Sequence, residues 1–169
     1  MKTKYTFTFI FLFTSLICFN SCKRILDSTG EVIYYTSFEQ ESELNGWDGL
    51  SADNFRDDTP NSGGNKSVFI SGGCQVPTAK YTLKAVGVEQ KVSFTCYGKN
   101  LSSGGTVFLC LEGDINFEIS INVQEKDWTF YECRNSIIWP ANKDLSICLF
   151  SGGYIGSSML IDDIRVIKK

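Results

Sequence analysis

The chain contains no histidine among its 169 residues. Nucleophilic machinery built on a Ser–His or Cys–His pair is therefore absent. Glycoside hydrolysis would need two carboxylates facing each other across a cleft. The adjacent pairs Asp57-Asp58 and Asp162-Asp163 do not supply that arrangement, because neighbours on a strand point to opposite faces. These absences point away from an enzyme. Asp162 has the most unusual setting of the acidic residues. A period of two places it on one face with Leu160, Ile164 and Val166. A carboxylate on an apolar face is costly unless it is paired or bound to a metal.

The seven cysteines are Cys18, Cys22, Cys74, Cys96, Cys110, Cys133 and Cys148. No C-x-x-C pair occurs, which argues against a zinc site. Most of the later cysteines sit in apolar, strand-like runs, where they read as small buried hydrophobes. An exported protein can also form disulfides, but sequence does not give their connectivity.

The N-terminus is where export is written. Lys2 and Lys4 precede an apolar run from Phe7 to Phe19, the pattern of a secretory signal peptide. The run is short of the roughly 20 apolar residues of a membrane-spanning helix. The small-x-small cleavage site of ordinary leaders is missing. The chain reads Phe19-Asn20-Ser21-Cys22 instead, which resembles a bacterial lipobox with Phe19 in place of the usual aliphatic residue. The resemblance implies cleavage after residue 21 and lipid on Cys22. Each buried methylene contributes about 0.8 kcal/mol, so the two or three chains implied for that cysteine make a durable anchor. The alternatives are a plain leader, or an uncleaved one with Cys22 incidental.

The expected organisation is a signal peptide over residues 1–21, a lipidated tether over 22–30 and one domain over 31–169. The chain's net charge is −3, and both charges lost with the leader are lysines. An acidic domain without a basic cluster argues against a nucleic-acid partner.

Beyond the tether the signals are those of strands. Val32 to Phe38 is rich in β-branched and aromatic residues. A long polar stretch, Gln40 to Lys66, follows as an expected loop. Val92, Phe94 and Cys96 share one strand face, and Tyr97 lies on the other. Thr106 to Leu111 is almost wholly apolar, as suits a strand covered on both faces. Phe117, Ile119, Ile121 and Val123 alternate with Asn116, Glu118, Ser120 and Asn122, the clearest half-buried strand. Trp128 to Ile138, Leu145 to Phe150 and Ser158 to Ile167 complete eight or nine strands. Paired glycines and Gly-Asp punctuate them, which predicts an all-β fold with no helix after the leader.

Four pieces then line up in order: Ser37-Phe38-Glu39 with Gly46-Trp47, Gly64-Asn65-Lys66-Ser67-Val68, Trp128-Thr129-Phe130-Tyr131, and Leu160-Ile161-Asp162-Asp163-Ile164. This order resembles carbohydrate-binding modules of the four, nine and twenty-two type. The resemblance implies a galactose-binding-domain-like jelly roll, a β-sandwich of two antiparallel sheets. It also implies a structural calcium ion joining the first and last strands to the loop before the Gly-x-x-Ser strand. Calcium takes six to eight oxygens. Carried over, Glu39 and Asp162 would ligate by side chain, with Ser37, Asn61, Gly64 or Lys66 adding oxygens mostly by carbonyl.

A sugar ring offers an apolar face to an aromatic ring and a hydroxyl edge to polar side chains. Trp47 and Trp128 read as core. Tyr97, Trp139 and Tyr154 fall at strand ends or in loops, and Phe117 neighbours the polar face of its strand. These four are the expected contacts to a polysaccharide or glycan.

The combined expectation is a non-catalytic lipoprotein of the bacterial cell envelope, held to a membrane, most simply the outer one, on a face that sequence leaves open. A structural or protein-interaction lipoprotein with the same fold is the alternative, and a small glycoside hydrolase the weaker one. If the lipid on Cys22 is the attachment, Cys22→Ala moves the protein from the membrane to the soluble fraction with its fold intact. Unchanged membrane fractionation and an unchanged mass for the N-terminal peptide would refute the anchor.

Overall fold

The computed structural model describes residues 30–72, 78–113, 118–152 and 156–169. The leader, Cys22, Cys74, Phe117 and Tyr154 lie outside the described residues. Twelve strands occur within them: β1 (Glu31–Thr36), β2 (Trp47–Asp48), β3 (Phe55–Arg56), β4 (Ser67–Ser71), β5 (Ala79–Leu83), β6 (Gln90–Ser102), β7 (Gly105–Leu111), β8 (Ile119–Val123), β9 (Thr129–Glu132), β10 (Ile137–Trp139), β11 (Leu145–Phe150) and β12 (Ser158–Lys168). No α-helix interrupts the described residues, only two short 3-10 turns at Glu41–Leu44 and Ala52–Asn54. The all-β expectation holds. The stretch expected as one long loop carries β2, β3 and both turns. The run from Trp128 to Ile138 is divided between β9 and β10.

The strands form two antiparallel sheets. The seven-stranded sheet runs β10-β6-β12-β4-β3, with β1 also paired to β12 and β9 to β6. The five-stranded sheet runs β2-β5-β11-β7-β8. Alternation decides which side chains lie between them. Val92, Phe94 and Cys96 of β6 point inward, as their spacing predicts, and so do Ile119, Ile121 and Val123 of β8. Leu145, Ile147 and Leu149 of β11 meet Val107, Leu109 and Leu111 of β7 in the same layer. Aromatic packing closes one corner: ring centroids lie 4.6 Å apart for Tyr34 and Tyr81, 5.5 Å for Trp47 and Tyr81, and 5.7 Å for Phe38 and Trp47. The Trp47 indole donates to the Tyr34 hydroxyl at 3.1 Å. Trp47 is thus core, as expected.

One irregularity rearranges the face that sequence assigned to Asp162. The β12–β6 register shifts between Asp162 and Arg165, and Asp163 adopts a left-handed backbone with φ of 50°. Extra residues in one strand of a pair change which side chains point inward. Before the bulge Met159 and Ile161 lie in the core; after it Ile164 and Val166 do. Asp162 therefore shares its face with Leu160 and not with Ile164 and Val166. That face is the outer side of the seven-stranded sheet.

Phe94 is fully buried at the centre of the core. Phe94→Ala should cost about 3–5 kcal/mol in urea unfolding, whereas Val86→Ala, at an exposed position, should stay within about 0.5 kcal/mol.

Candidate functional site

Two regions concentrate polar chemistry. The first surrounds Asp162, which is 0% exposed although it lies on the outer face of its sheet. Its Oδ1 accepts the Asp163 N–H at 2.7 Å, and its Oδ2 has no hydrogen-bond partner. A Cβ on Gly63 would lie 2.6 Å from that Oδ2, so the glycine lets the loop close over the carboxylate. Burial raises the Asp162 pKa to about 7, and the nearby carboxylates of Asp163, Glu39 and Glu43 add to the rise.

Glu39 fills the adjoining position. Its carboxylate accepts the N–H groups of Asn65 and Lys66 at 2.8–3.1 Å. It also packs so closely on Gly64 that a Cβ there would sit 2.1 Å from its Cδ. The Lys66 ammonium lies 4.7 Å from the centre of the Phe55 ring, so Lys66 turns only its backbone toward Glu39.

Glu43 belongs to the same cluster and escaped the sequence reading. It accepts the N–H groups of Ser37, Phe38 and Glu39, and the Thr36 hydroxyl. Burial opposes its charge, but these hydrogen bonds outweigh that and hold its pKa below the usual range. The only advance signal was its place four residues after Glu39.

The structure therefore brings Glu39, Gly64, Lys66 and Asp162 together. No group of three or more His, Cys, Asp or Glu side chains among the described residues is arranged to hold a metal. A hard cation here would need backbone carbonyls in addition to carboxylates, a donor mixture that suits calcium. The orphan Oδ2 of Asp162 and the converging negative charge fit such an ion.

The second region is the outer face of the five-stranded sheet. Thr82 and Cys110 both stand opposite Ser146, and Lys80 and Phe108 both stand opposite Cys148. Phe108 in turn stands opposite Ser120, and Thr106 opposite Asn122. Phe108, Ser146 and Cys148 point away from the core yet are 4%, 3% and 1% exposed. A depression of about 300 Å³ lies here, lined by Lys80, Thr82, Lys84, Cys110, Glu112, Asp144 and Ser146 among others. The Thr82 and Ser146 hydroxyls are 3.3 Å apart, and Thr106 donates to Asn122 at 3.0 Å. Lys84 and Asp144 pair at 2.8 Å at the rim. Ser120 and Asn122 are exposed as their alternation predicted.

Trp139 and Tyr97, the two aromatic residues singled out from sequence that lie within the described residues, fall elsewhere. Trp139 is 2% exposed, lies in the core and donates its indole N–H to the Lys143 carbonyl at 2.7 Å. It is not a surface ring: β10 pairs with β6 and alternation turns the indole inward. Tyr97 does point outward, but on the seven-stranded sheet, where it packs on Phe130 at 5.3 Å. Trp128, expected in the core, is half-buried on the surface and donates to Asp58 at 2.7 Å.

Lys99 also pairs with Asp58 at 2.7 Å, beside a depression of about 410 Å³ lined by Arg56, Asp58, Phe69, Leu101 and Leu160. The polar groups of this second depression largely satisfy one another. Asp58 is taken by Lys99 and Trp128, and the Arg56 guanidinium donates to the carbonyls of Asp53 and Phe55.

The backbone arrangement matches the jelly roll of carbohydrate-binding modules. The chain is similar to the CBM22-1 xylan-binding domain of Paenibacillus barcinonensis Xyn10C, with a TM-score of 0.60 and 15% identity over 82% of this chain and 95% of that one. It is similar to the CBM22-1 and catalytic modules of Clostridium thermocellum xylanase Xyn10B complexed with xylohexaose, with a TM-score of 0.52 and 18% identity over 83% of this chain and 29% of that one. It is also similar to the module CBM6cm-2 of Cellvibrio mixtus lichenase 5A, in complex with cellotriose, with a TM-score of 0.50 and 17% identity over 82% and 99%. No protein-family model matches the chain, and no curated protein sequence matches it. The jelly-roll fold expected from sequence is the fold of these modules.

The sign of the Asp162 effect is testable. A carboxyl whose pKa is raised on folding binds more protons folded than unfolded between the two pKa values, so stability falls as pH rises through that window. With divalent ions chelated, the melting temperature should drop between about pH 4 and pH 7. Asp162→Asn should remove most of that slope and stabilise the chelated protein at pH 8 by as much as about 4 kcal/mol. An unchanged pH profile in Asp162→Asn would show that this carboxyl titrates normally.

Proposed function

We propose that this protein is a non-catalytic glycan-binding lipoprotein, anchored through Cys22 to the bacterial envelope, with the outer face of the five-stranded sheet as its binding groove. One observation carries the site assignment. Outward-facing Phe108, Ser146 and Cys148 are nearly buried, so that face is a trough and not a flat solvated sheet. Its walls and floor combine hydroxyl, ammonium and carboxylate groups, the partners a sugar's hydroxyl edge requires. Cys110 and Leu111 supply the apolar part of the lining, for the C–H face. The side chains of Lys80 and Glu112 make no hydrogen bond within the described residues, which leaves them available to a ligand.

One similar module is a xylan-binding domain, and another is in complex with cellotriose. Xylo-oligosaccharides and cello-oligosaccharides are accordingly the first probes. Calcium held by Asp162, Glu39 and loop carbonyls would be structural. It would relieve the repulsion among the buried carboxylates and lie on the other sheet from the groove.

Anchoring rests on the leader pattern and the Phe19-Asn20-Ser21-Cys22 sequence. No helix among the described residues is long and apolar enough to cross a membrane. The outer membrane is the proposed location, on either of its faces. A non-catalytic role rests on the absence of histidine from the sequence.

Affinity electrophoresis against polysaccharides, followed by calorimetry with the tightest oligosaccharide, tests the reading. Lys80→Ala and Glu112→Ala should each weaken binding about 5- to 10-fold, the loss of one charge-assisted hydrogen bond. Tyr97→Ala should leave it unchanged. The reverse pattern would move the site to the seven-stranded sheet, and absence of binding to every glycan tested would favour the protein-interaction reading.

A further inference from the structure

Two cysteines share the floor of the groove. Cys110 lies on β7 opposite Ser146, and Cys148 lies on β11 opposite Phe108. The two are therefore diagonal neighbours on adjacent strands, on one face of the sheet. Their sulfurs are 3.7 Å apart and they are thiols in the structure, not a disulfide. Cys148 is 1% exposed, while Cys110 is half-buried and lines the groove.

We propose that Cys110 and Cys148 form a reversible cross-strand disulfide in the floor of the groove. Three observations support it. The sulfurs lie in contact at 3.7 Å, so bond formation needs only their approach and a local adjustment of β7 and β11. The pair is asymmetric: Cys110 lines the depression, whereas Cys148 is buried. The hydrogen bond shared with Cys110, together with burial, also keeps Cys148 protonated above the usual thiol range, which leaves Cys110 as the first nucleophile.

The oxidant is a low-molecular-weight disulfide such as oxidised glutathione. The Cys110 thiolate attacks one of its sulfurs, the glutathione S–S bond breaks and one glutathione thiol leaves. The Cys148 sulfur then attacks the Cys110 sulfur of the mixed disulfide, loses its proton and expels the second glutathione thiol. Two protein thiols are oxidised to one disulfide, and one glutathione disulfide is reduced to two thiols.

Reversibility follows from the register. A disulfide between diagonal positions departs from the geometry of a directly opposed pair, and strained disulfides are more readily reduced. This inference goes beyond glycan binding and stands or falls independently of it.

The test is oxidation of the folded protein with oxidised glutathione, alkylation of remaining thiols and tryptic mapping without reduction. Cleavage after Lys66, Lys80, Lys99, Lys126, Lys143 and Arg165 places Cys74, Cys96, Cys110, Cys133 and Cys148 on separate peptides. The expected product is a single linked species joining the Cys110 and Cys148 peptides, lost on reduction and absent from Cys110→Ser. The oxidised wild type should also melt about 5 °C or more above its reduced form, with no such difference in Cys110→Ser. Recovery of both peptides alkylated and unlinked would overturn the proposal. So would linkage to the Cys74 peptide instead, or a link that forms only in urea-unfolded protein.

Discussion

The left-handed backbone at Asp163 is the constraint from which much of this sandwich follows. Strand β12 is paired along both edges, with β6 on one side and with β4 and then β1 on the other. It must present apolar side chains to the core along its length, yet its two halves do so with opposite parity. The bulge makes that change. It also leaves Asp162 facing outward at the point where the 57–66 loop crosses the sheet, so a carboxylate is buried without a partner for one oxygen. Asp163 itself is held by Tyr35, whose hydroxyl donates to it at 2.5 Å, and lies 3.9 Å from Arg165, whose guanidinium in turn lies over the Tyr35 ring. Such a residue in a conformation rare for non-glycine persists only when its surroundings determine it. Strands β1 and β12 do so together.

The neighbouring carboxylates are solved in a different way. Glu39 and Glu43 lie near Asp162, and both are fully engaged with backbone N–H groups. Glu43 ties down the turn after β1, and Glu39 ties β1's exit to the approach to β4. Hydrogen bonds to the charged form lower a carboxyl pKa, whereas burial without them raises it. That is why Glu43 and Asp162 shift in opposite directions although they share one region. The cluster is a set of structural ties with one oxygen left over.

Much of the fold was legible because its strands follow simple alternation. The inward sets of β6 and β8 needed only a period of two, and the apolar run of β7 correctly implied cover on both faces, since Phe108 is buried on the outer side. The site was less legible, for identifiable reasons. A bulge carries no compositional signal here, so Asp162 was placed on the wrong face. Trp128 and Trp139 exchanged roles because ring exposure depends on which strand covers a position. Trp139 lies on a short strand turned to the core, while Trp128 reaches across to Asp58, seventy residues away in sequence. The Cys110–Cys148 contact depends on the β7–β11 register, which no local pattern reveals. Glu39, Gly64, Lys66 and Asp162 were grouped from the order of motifs along the chain, and the structure places them near one another.

The two sheets divide their work. The carboxylate cluster belongs to the seven-stranded sheet and its loops; the groove belongs to the five-stranded sheet. An apolar layer lies between them. Close-packed layers of this kind transmit a shape change only where a side chain must move, and Asp162 points away from that layer. Protonation or cation capture at Asp162 should therefore act on how firmly β1, β12 and the 57–66 loop are held, and leave the groove's geometry alone. The groove's own adjustable element is different. Cys110 and Cys148 lie side by side on its adjacent strands β7 and β11, their sulfurs 3.7 Å apart. A bond between them would change the depth and polarity of the floor without passing through the core.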